Sequence, residues 1–142
     1  MHLLHKSTIR LCNKIAKLLS ITLIILGLLT LFGWHSGNVV LIQIIPHFDL
    51  ITYNTALLFL ISGLGFLASY HGMRKSAFYS GCFILLFSSI TALQHLFDIQ
   101  LGIDEFLMSD FLGANVLFPG RMSLSVALSF FLTGIYLCLA FV

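Results

Sequence analysis

Apolar residues run in four long stretches, at about 17–34, 54–71, 77–97 and 123–142, and no Asp, Glu, Lys or Arg lies between the ends of any of them. A helix needs roughly 20 mostly apolar residues to cross a bilayer. The pattern therefore predicts an all-α membrane protein of four transmembrane helices. Short polar segments separate the second and third stretches, and longer mixed segments separate the other two pairs.

Composition sharpens this. The chain has 142 residues, 59% of them hydrophobic and only 8% charged. Soluble domains carry about 25% charged residues, so lipid is expected to cover most of the surface. A net charge of +2 gives no reason to expect a nucleic-acid partner. Cys12, Cys82 and Cys138 fall in or beside apolar runs with no CxxC pair, which argues against a disulfide framework or a zinc site.

The placement of charge sets the expected orientation. Lys6, Arg10, Lys14 and Lys17 precede the first stretch, and Arg74 and Lys75 fill the turn between the second and third. Arg121 is alone among the basic residues in falling on the other side, together with all five acids, Asp49, Asp98, Asp104, Glu105 and Asp110. The positive-inside rule then places both termini in the cytoplasm. No A-x-A-like site follows the first stretch, so it is read as a span rather than a cleaved signal. The basic residues at 1–16 share one helical face, opposite Leu4, Leu11 and Ile15, as in an amphipathic segment lying in the inner headgroup region before the first span.

The second and fourth stretches resemble each other. Asn54-Thr-Ala-Leu-Leu-Phe-Leu-Ile-Ser-Gly63 aligns with Ser125-Val-Ala-Leu-Ser-Phe-Phe-Leu-Thr-Gly134, matching Ala56 to Ala127, Leu57 to Leu128, Phe59 to Phe130 and Gly63 to Gly134 at one offset. Both run in the same direction across the membrane, so the expected fold is two parallel-repeat hairpins related by an axis along the membrane normal. Small residues at the paired Ser/Thr-Gly positions allow close helix contact. A second copy of the chain, in a homodimer, is the expected completion of the core. The outer segments, at about 39–45 and 103–111, are apolar enough to be read as short interfacial helices roofing the bundle.

Candidate chemistry is sparse. There is no GxSxG, HExxH, P-loop or Rossmann pattern, and no enzyme is expected. Carboxylates are missing from within the spans, which weakens a pump or transporter reading. His35, His47, His95 and Asp98 fall at one outer level, with His95 and Asp98 on one helical face. They could ligate a zinc or copper ion, or His35 and His95 a haem b; the competing reading is interfacial histidines bonded to backbone, water or headgroups, with no cofactor. Arg121 pairs with Asp104, Glu105 or Asp110 to pin the roof, or holds an anionic ligand. Asn54 and Ser125 start their spans and are expected to cap them. Trp34, Tyr53, Tyr70 and Tyr79 fall near span ends, as interface anchors do.

The Asn54–Gly63 run, Leu101-Gly-Ile-Asp104 and Phe118-Pro-Gly-Arg-Met-Ser123 together resemble the N-terminal membrane sensor region of certain bacterial histidine kinases and diguanylate cyclases. Those regions show Pro-Asn-Thr-Ala-Leu and Pro-Gly-Arg-Met-Ser-Pro-x-Thr-Ala-Leu starts to two spans, with Gly-Ile-Asp between. Here Thr52-Tyr53 replaces the first proline, and Leu124-Ser125-Val126 replaces Pro-x-Thr, which bears on how these helices are capped. The resemblance covers about 20–142 and implies a cytoplasmic PAS, kinase or GGDEF domain, or a separate signalling partner, acting beyond the fourth span; the stop at Val142 fits a receptor fragment or a stand-alone relative. The expected function is a sensory input module in a bacterial inner membrane, with Arg121, Asp104, Glu105, Asn54 and Trp34 as candidate signal-binding residues. A haem-binding or electron-transfer protein and a small assembly subunit are the alternatives.

Overall fold

A computed structural model describes residues 2–43, 50–112 and 117–140, with side chains from residue 11 onward. The described residues are all-helical, with no strands: α1 (His2–Ser36), α2 (Val39–Ile42), α3 (Tyr53–Tyr70), α4 (Arg74–Phe97) and α5 (Leu124–Leu139). Three helices, Leu11–Ser36 within α1, α3 and α4, are long and apolar enough to cross a membrane. The fourth stretch yields a shorter helix. Its N-cap Ser123 fixes the start, and its 16 residues rise about 24 Å, short of the bilayer's roughly 30 Å core.

Two further expectations change. The basic N-terminal segment does not turn before the first span but continues into it as one 35-residue helix. Of the two segments expected to form interfacial helices, one does, as the four-residue α2, capped by Asn38 whose side chain accepts from the Val40 amide. Residues 103–111 form no helix. Their acids serve turns instead: Glu105 accepts from the Asp110 amide, and Asp110 accepts from the amides of Leu112 and Gly120. Side chains that take up backbone amides locally compete with the helical ladder.

α1 packs against α3 and α4 against α5, while α3 also touches α4 and α5. Glycines set the closest approaches. A Cβ on Gly63 would lie 2.7 Å from the Ser20 carbonyl oxygen of α1, and one on Gly134 would lie 2.8 Å from the Leu85 amide nitrogen of α4. Two glycines matched in sequence thus bring two helices against two others, as close backbone contact in lipid requires. Their neighbours Phe59 and Phe130, also matched, meet edge to face with ring centroids 5.3 Å apart. The buried core lies around them, in Leu58, Ile84, Ala127, Phe130 and Leu137.

The recurrence extends to α1 and α4, where the sequences hardly agree. Trp34 donates its indole N–H to the Ile51 carbonyl at 2.9 Å, and His95 Nε2 meets the Met122 carbonyl at the same distance. A carbonyl only accepts, so His95 carries its proton on Nε2. The Asn38 amide closes on the Gly33 carbonyl and the Ile99 amide on that of Gln94. Each bond caps a helix whose next residue is left-handed, Gly37 at φ 67° and Asp98 at φ 50°. Thr30 and Thr91 stand one turn before, both fully buried.

Among the described residues the backbone of α1 does not come close to that of α4 or α5. The bundle is therefore open on one side, and a groove runs between α1 and α5 over the face of α3.

Candidate functional site

Charge gathers where α4 ends and α3 and α5 begin. Asp104 and Arg121 form an ion pair, Nε to Oδ2 at 3.0 Å, with side chains only 4% and 3% exposed. The same carboxylate oxygen accepts from Gln94 Nε2 at 2.8 Å. Arg121 spends a second donor, Nη2, on the Ile99 carbonyl at 2.8 Å just beyond α4, and its guanidinium lies 3.9 Å from the centre of the Phe118 ring. Planar guanidinium suits this simultaneous use of donors and stacking face better than lysine would.

Asn54 completes the cluster from below. Its Nδ2 donates to the carbonyls of Ile103 and Asp104 at 3.2 and 2.9 Å, so the residue is buried within the cluster and does not cap α3. The cap is Thr52, whose hydroxyl accepts from the Thr55 amide; Ser123 does the same for Val126 in α5. The caps thus lie two residues before the expected Asn54 and Ser125. At both starts the extended residue is Thr52 or Ser123, with ψ 154°, and only a residue in that conformation can turn its oxygen onto the first-turn amides.

Backbone geometry holds the acid in place. Gly120 has φ 71°, and a Cβ there would meet the Asp104 carbonyl oxygen at 2.8 Å. The Gly120 amide donates to Asp110, which in turn is held to Glu105 through its own amide. Three acids in one segment therefore have distinct tasks. Asp104 takes the cation, Asp110 ties the two loop strands together, and Glu105 shapes the turn between. Two acceptors, Asn54 Oδ1 and Gln94 Oε1, are buried with no partner among the described residues.

Beside this cluster lies a cavity of about 770 Å³, walled by Trp34, Thr55, Phe59, His95, Arg121 and Met122 among others. That is within the usual range for small-molecule sites, about 300–1,000 Å³. Trp34 is 3% exposed and packs edge to face on Phe111 at 5.1 Å, so it is an interior residue rather than a lipid-facing anchor. Tyr70 and Tyr79, by contrast, are exposed.

The histidines do not gather. His35 is exposed and its Nε2 faces the Tyr53 hydroxyl at 3.3 Å, while His95 is committed to Met122. Among the described residues no three His, Cys, Asp or Glu side chains come together in a metal-binding group, and Asp98 is used as the left-handed residue after α4. His47 and Asp49 lie outside the described residues. A haem shared by His35 and His95 would have to break both Nε2 bonds.

Sequence reasoning missed Gln94, Phe118 and Gly120. Gln94 carried a signal: it is a polar residue inside an apolar span, where an unpartnered amide is costly. The sequence matches no family model, and neither curated proteins nor solved structures give a match to it.

Proposed function

We propose that the chain is the membrane-embedded input module of a bacterial signalling receptor. In this reading α1, α3 and α4 are spans and the shorter α5 is a fourth, which local thinning of the bilayer accommodates; together they are one hairpin used twice, with the Arg121 cluster at the outer face and both termini in the cytoplasm. The observation that carries the reading is the Asp104–Arg121 pair. It joins the end of α4, through Gln94 and Ile99, to the start of α3, through Asn54, and to the entry of α5. A change in the adjacent cavity that strains this pair moves three helix ends together. Buried charge is expensive and is a weak source of stability, so its presence at a helix junction favours a coupling role. The module has no catalysis of its own here. The output is a histidine kinase or diguanylate cyclase domain, or a separate cytoplasmic partner, moved by shifts of one to two ångströms in α3 and α5.

Two measurements test it. Alkaline phosphatase fused after residue 110 should be active and after residue 73 inactive; the reverse pattern would refute the orientation. Joining the chain to a diguanylate cyclase output domain should give cyclic di-GMP levels that change several-fold on Asp104→Asn or Arg121→Gln at equal protein abundance. Output indifferent to both substitutions would sink the coupling role.

A further inference from the structure

Two of the three cysteines meet. Cys82 of α4 and Cys138, in the last turn of α5, bring their Sγ atoms to 3.8 Å, and both are free thiols. No CxxC spacing announces this pair; helix packing makes it. Beside Cys82, a Cβ on Gly81 would lie 2.9 Å from Leu137 Cβ and 3.0 Å from both the amide nitrogen and Sγ of Cys138. The bare glycine lets the two backbones press together, and the thiols stand next to that contact. Packing alone does not ask for sulfur there. Cys82 lies as far before His95 as Ile21 lies before Trp34, and Cys138 follows Gly134 as Leu67 follows Gly63. Ile21 is exposed and Leu67 half-buried, matching Cys82 and Cys138 in turn. The α1–α3 pair thus fills the same two places with hydrocarbon, where the α4–α5 pair holds thiols.

We infer that Cys82 and Cys138 form a redox site that a hydroperoxide oxidises to a disulfide. Exposure makes Cys82 the first to react. Its sulfur attacks the outer peroxide oxygen, the O–O bond breaks, and the thiol proton passes to the leaving oxygen. The products are the Cys82 sulfenic acid and an alcohol, or water where the oxidant is hydrogen peroxide. The Cys138 sulfur then attacks the sulfenic sulfur. The S–S bond forms, and the sulfenic hydroxyl leaves as water with the Cys138 thiol proton. Two electrons pass from the dithiol to one hydroperoxide. The sulfurs have to close from 3.8 Å to a bond of roughly 2.0 Å. The backbones already touch at Gly81, so side-chain rotation supplies most of that. Depth favours this class of oxidant. Cys82 lies about 12 Å along α4 from Arg74, within the inner half of the apolar layer in the proposed orientation. An uncharged hydroperoxide enters that layer, whereas a charged disulfide such as oxidised glutathione is kept out. Disulfides exposed to a reducing cytoplasm are transient and redox-sensing. This one fastens the last turn of α5 to α4. The chemistry rests on the α4–α5 contact alone; its effect on output rests on reading α5 as a helix whose shift carries the signal.

The test uses the full chain in nanodiscs with Cys12→Ser, which leaves the pair as the two remaining thiols. Cumene hydroperoxide should remove both thiols together, lower the intact mass by two hydrogens and give no covalent dimer on a non-reducing gel. One hydroperoxide should be consumed per chain, and dithiothreitol should restore both thiols. Cumene hydroperoxide should act at least five-fold faster than hydrogen peroxide at equal concentration, which assigns the source to lipid hydroperoxides; the reverse order would support the same site with a cytosolic peroxide as its source. Adding Cys138→Ser should halt the reaction at the Cys82 sulfenic acid, trapped by dimedone. Cys82→Ile with Cys138→Leu should keep helix content and lose peroxide consumption; should that variant fail to fold, Cys82→Ser serves as the unreactive control. Thiols that stay open to alkylation in excess of both hydroperoxides would overturn the proposal. So would a bond formed between chains rather than within one, sulfinic acid formed without a disulfide, or oxidation by a quinone but by neither hydroperoxide. In a chain fused to a diguanylate cyclase domain, the hydroperoxide should change output several-fold, and Cys82→Ser should abolish that change. Bond formation without any output change would leave the redox site standing and remove the signalling role of α5; an output change that survives Cys82→Ser would overturn the pair as its cause.

Discussion

The α1–α3 pair and the α4–α5 pair solve the same packing problem with different chemistry. Each closes its open end with a ring N–H donated to a carbonyl ahead of the returning helix, indole in one and imidazole in the other. Each caps the returning helix with a hydroxyl and brings it close through a glycine. The two diverge in the segment beyond the ring. After Trp34 come Gly37 and the short α2; after His95 comes a longer segment that carries Asp104, Glu105 and Asp110 back to Arg121. Where α4 presents Gln94 to that segment, α1 has Gly33, and the space over Gly33 is filled by Leu41 and Ile42. Among the described residues, one pair ends in an apolar plug and the other in a buried charge network. Shared parts therefore serve the fold, and the unshared ones are where function is to be sought.

The largest test of that division removes the charge from one pair alone. Asp104→Leu leaves the Arg121 guanidinium buried without its partner, which costs about 3–5 kcal/mol. Unfolding of the purified chain in detergent should show the loss. Combining Asp104→Leu with Arg121→Met should recover most of it, because a buried pair exchanged for apolar groups of similar size is close to neutral. The double variant would be folded yet unresponsive in the output assay. A double variant that signals normally would mean that the network is only structural.

Much of the shared framework could be read from the sequence, and the unshared part could not. The α3–α5 match was visible because both helices place small residues at the same contacts, Ala56 with Ala127 and Gly63 with Gly134, and contact geometry tolerates little else there. The α1–α4 match was hidden because the ring donor is Trp34 in one and His95 in the other, two residues with one common capability. Helix caps slipped by two positions because Thr52 and Ser123 look no different from Asn54 and Ser125 until the extended backbone is known. The acids at 104–110 suggested a closing segment but not its form. Their side chains capture the amides of Asp110, Leu112 and Gly120, and alternation of apolar and acidic residues carries no record of that choice. An Arg121 partner among the acids was foreseeable by charge, whereas Gln94 as the third member depended on which face of α4 turned inward.

A middle-sized test asks whether the two helix contacts are equivalent. Gly63→Ala and Gly134→Ala each force a methyl into backbone atoms nearer than 3.0 Å, and neither of those atoms is the end of a flexible side chain. Both should destabilise by about 1–3 kcal/mol, as overpacking does. The α1 contact should suffer more. Both pairs close at a second glycine, but a Cβ on Gly27 would lie 2.7 Å from the Leu60 amide nitrogen of α3, whereas one on Gly81 would lie 2.9 Å from Leu137 Cβ and 3.0 Å from the Cys138 amide nitrogen of α5, so α1 has less freedom to withdraw. Equal losses would show that this second contact is slack.

The smallest test concerns the caps, and it is where the two pairs should differ least. Thr52 and Ser123 hold their first-turn amides in the same conformation, with φ −63° and −64°. Each alanine substitution should cost about 1 kcal/mol. Thr52 carries one extra bond, a 2.8 Å contact between its hydroxyl and that of Thr55, and Thr55 is 6% exposed. Ser123 shares its hydroxyl with Ser125 at 3.1 Å on the exposed side, where water replaces a lost partner. Thr52→Ala should therefore cost slightly more than Ser123→Ala, with the excess removed by a further Thr55→Val change. An excess that survives Thr55→Val would place its origin in the helix start itself, and the two caps would then not be copies of one device.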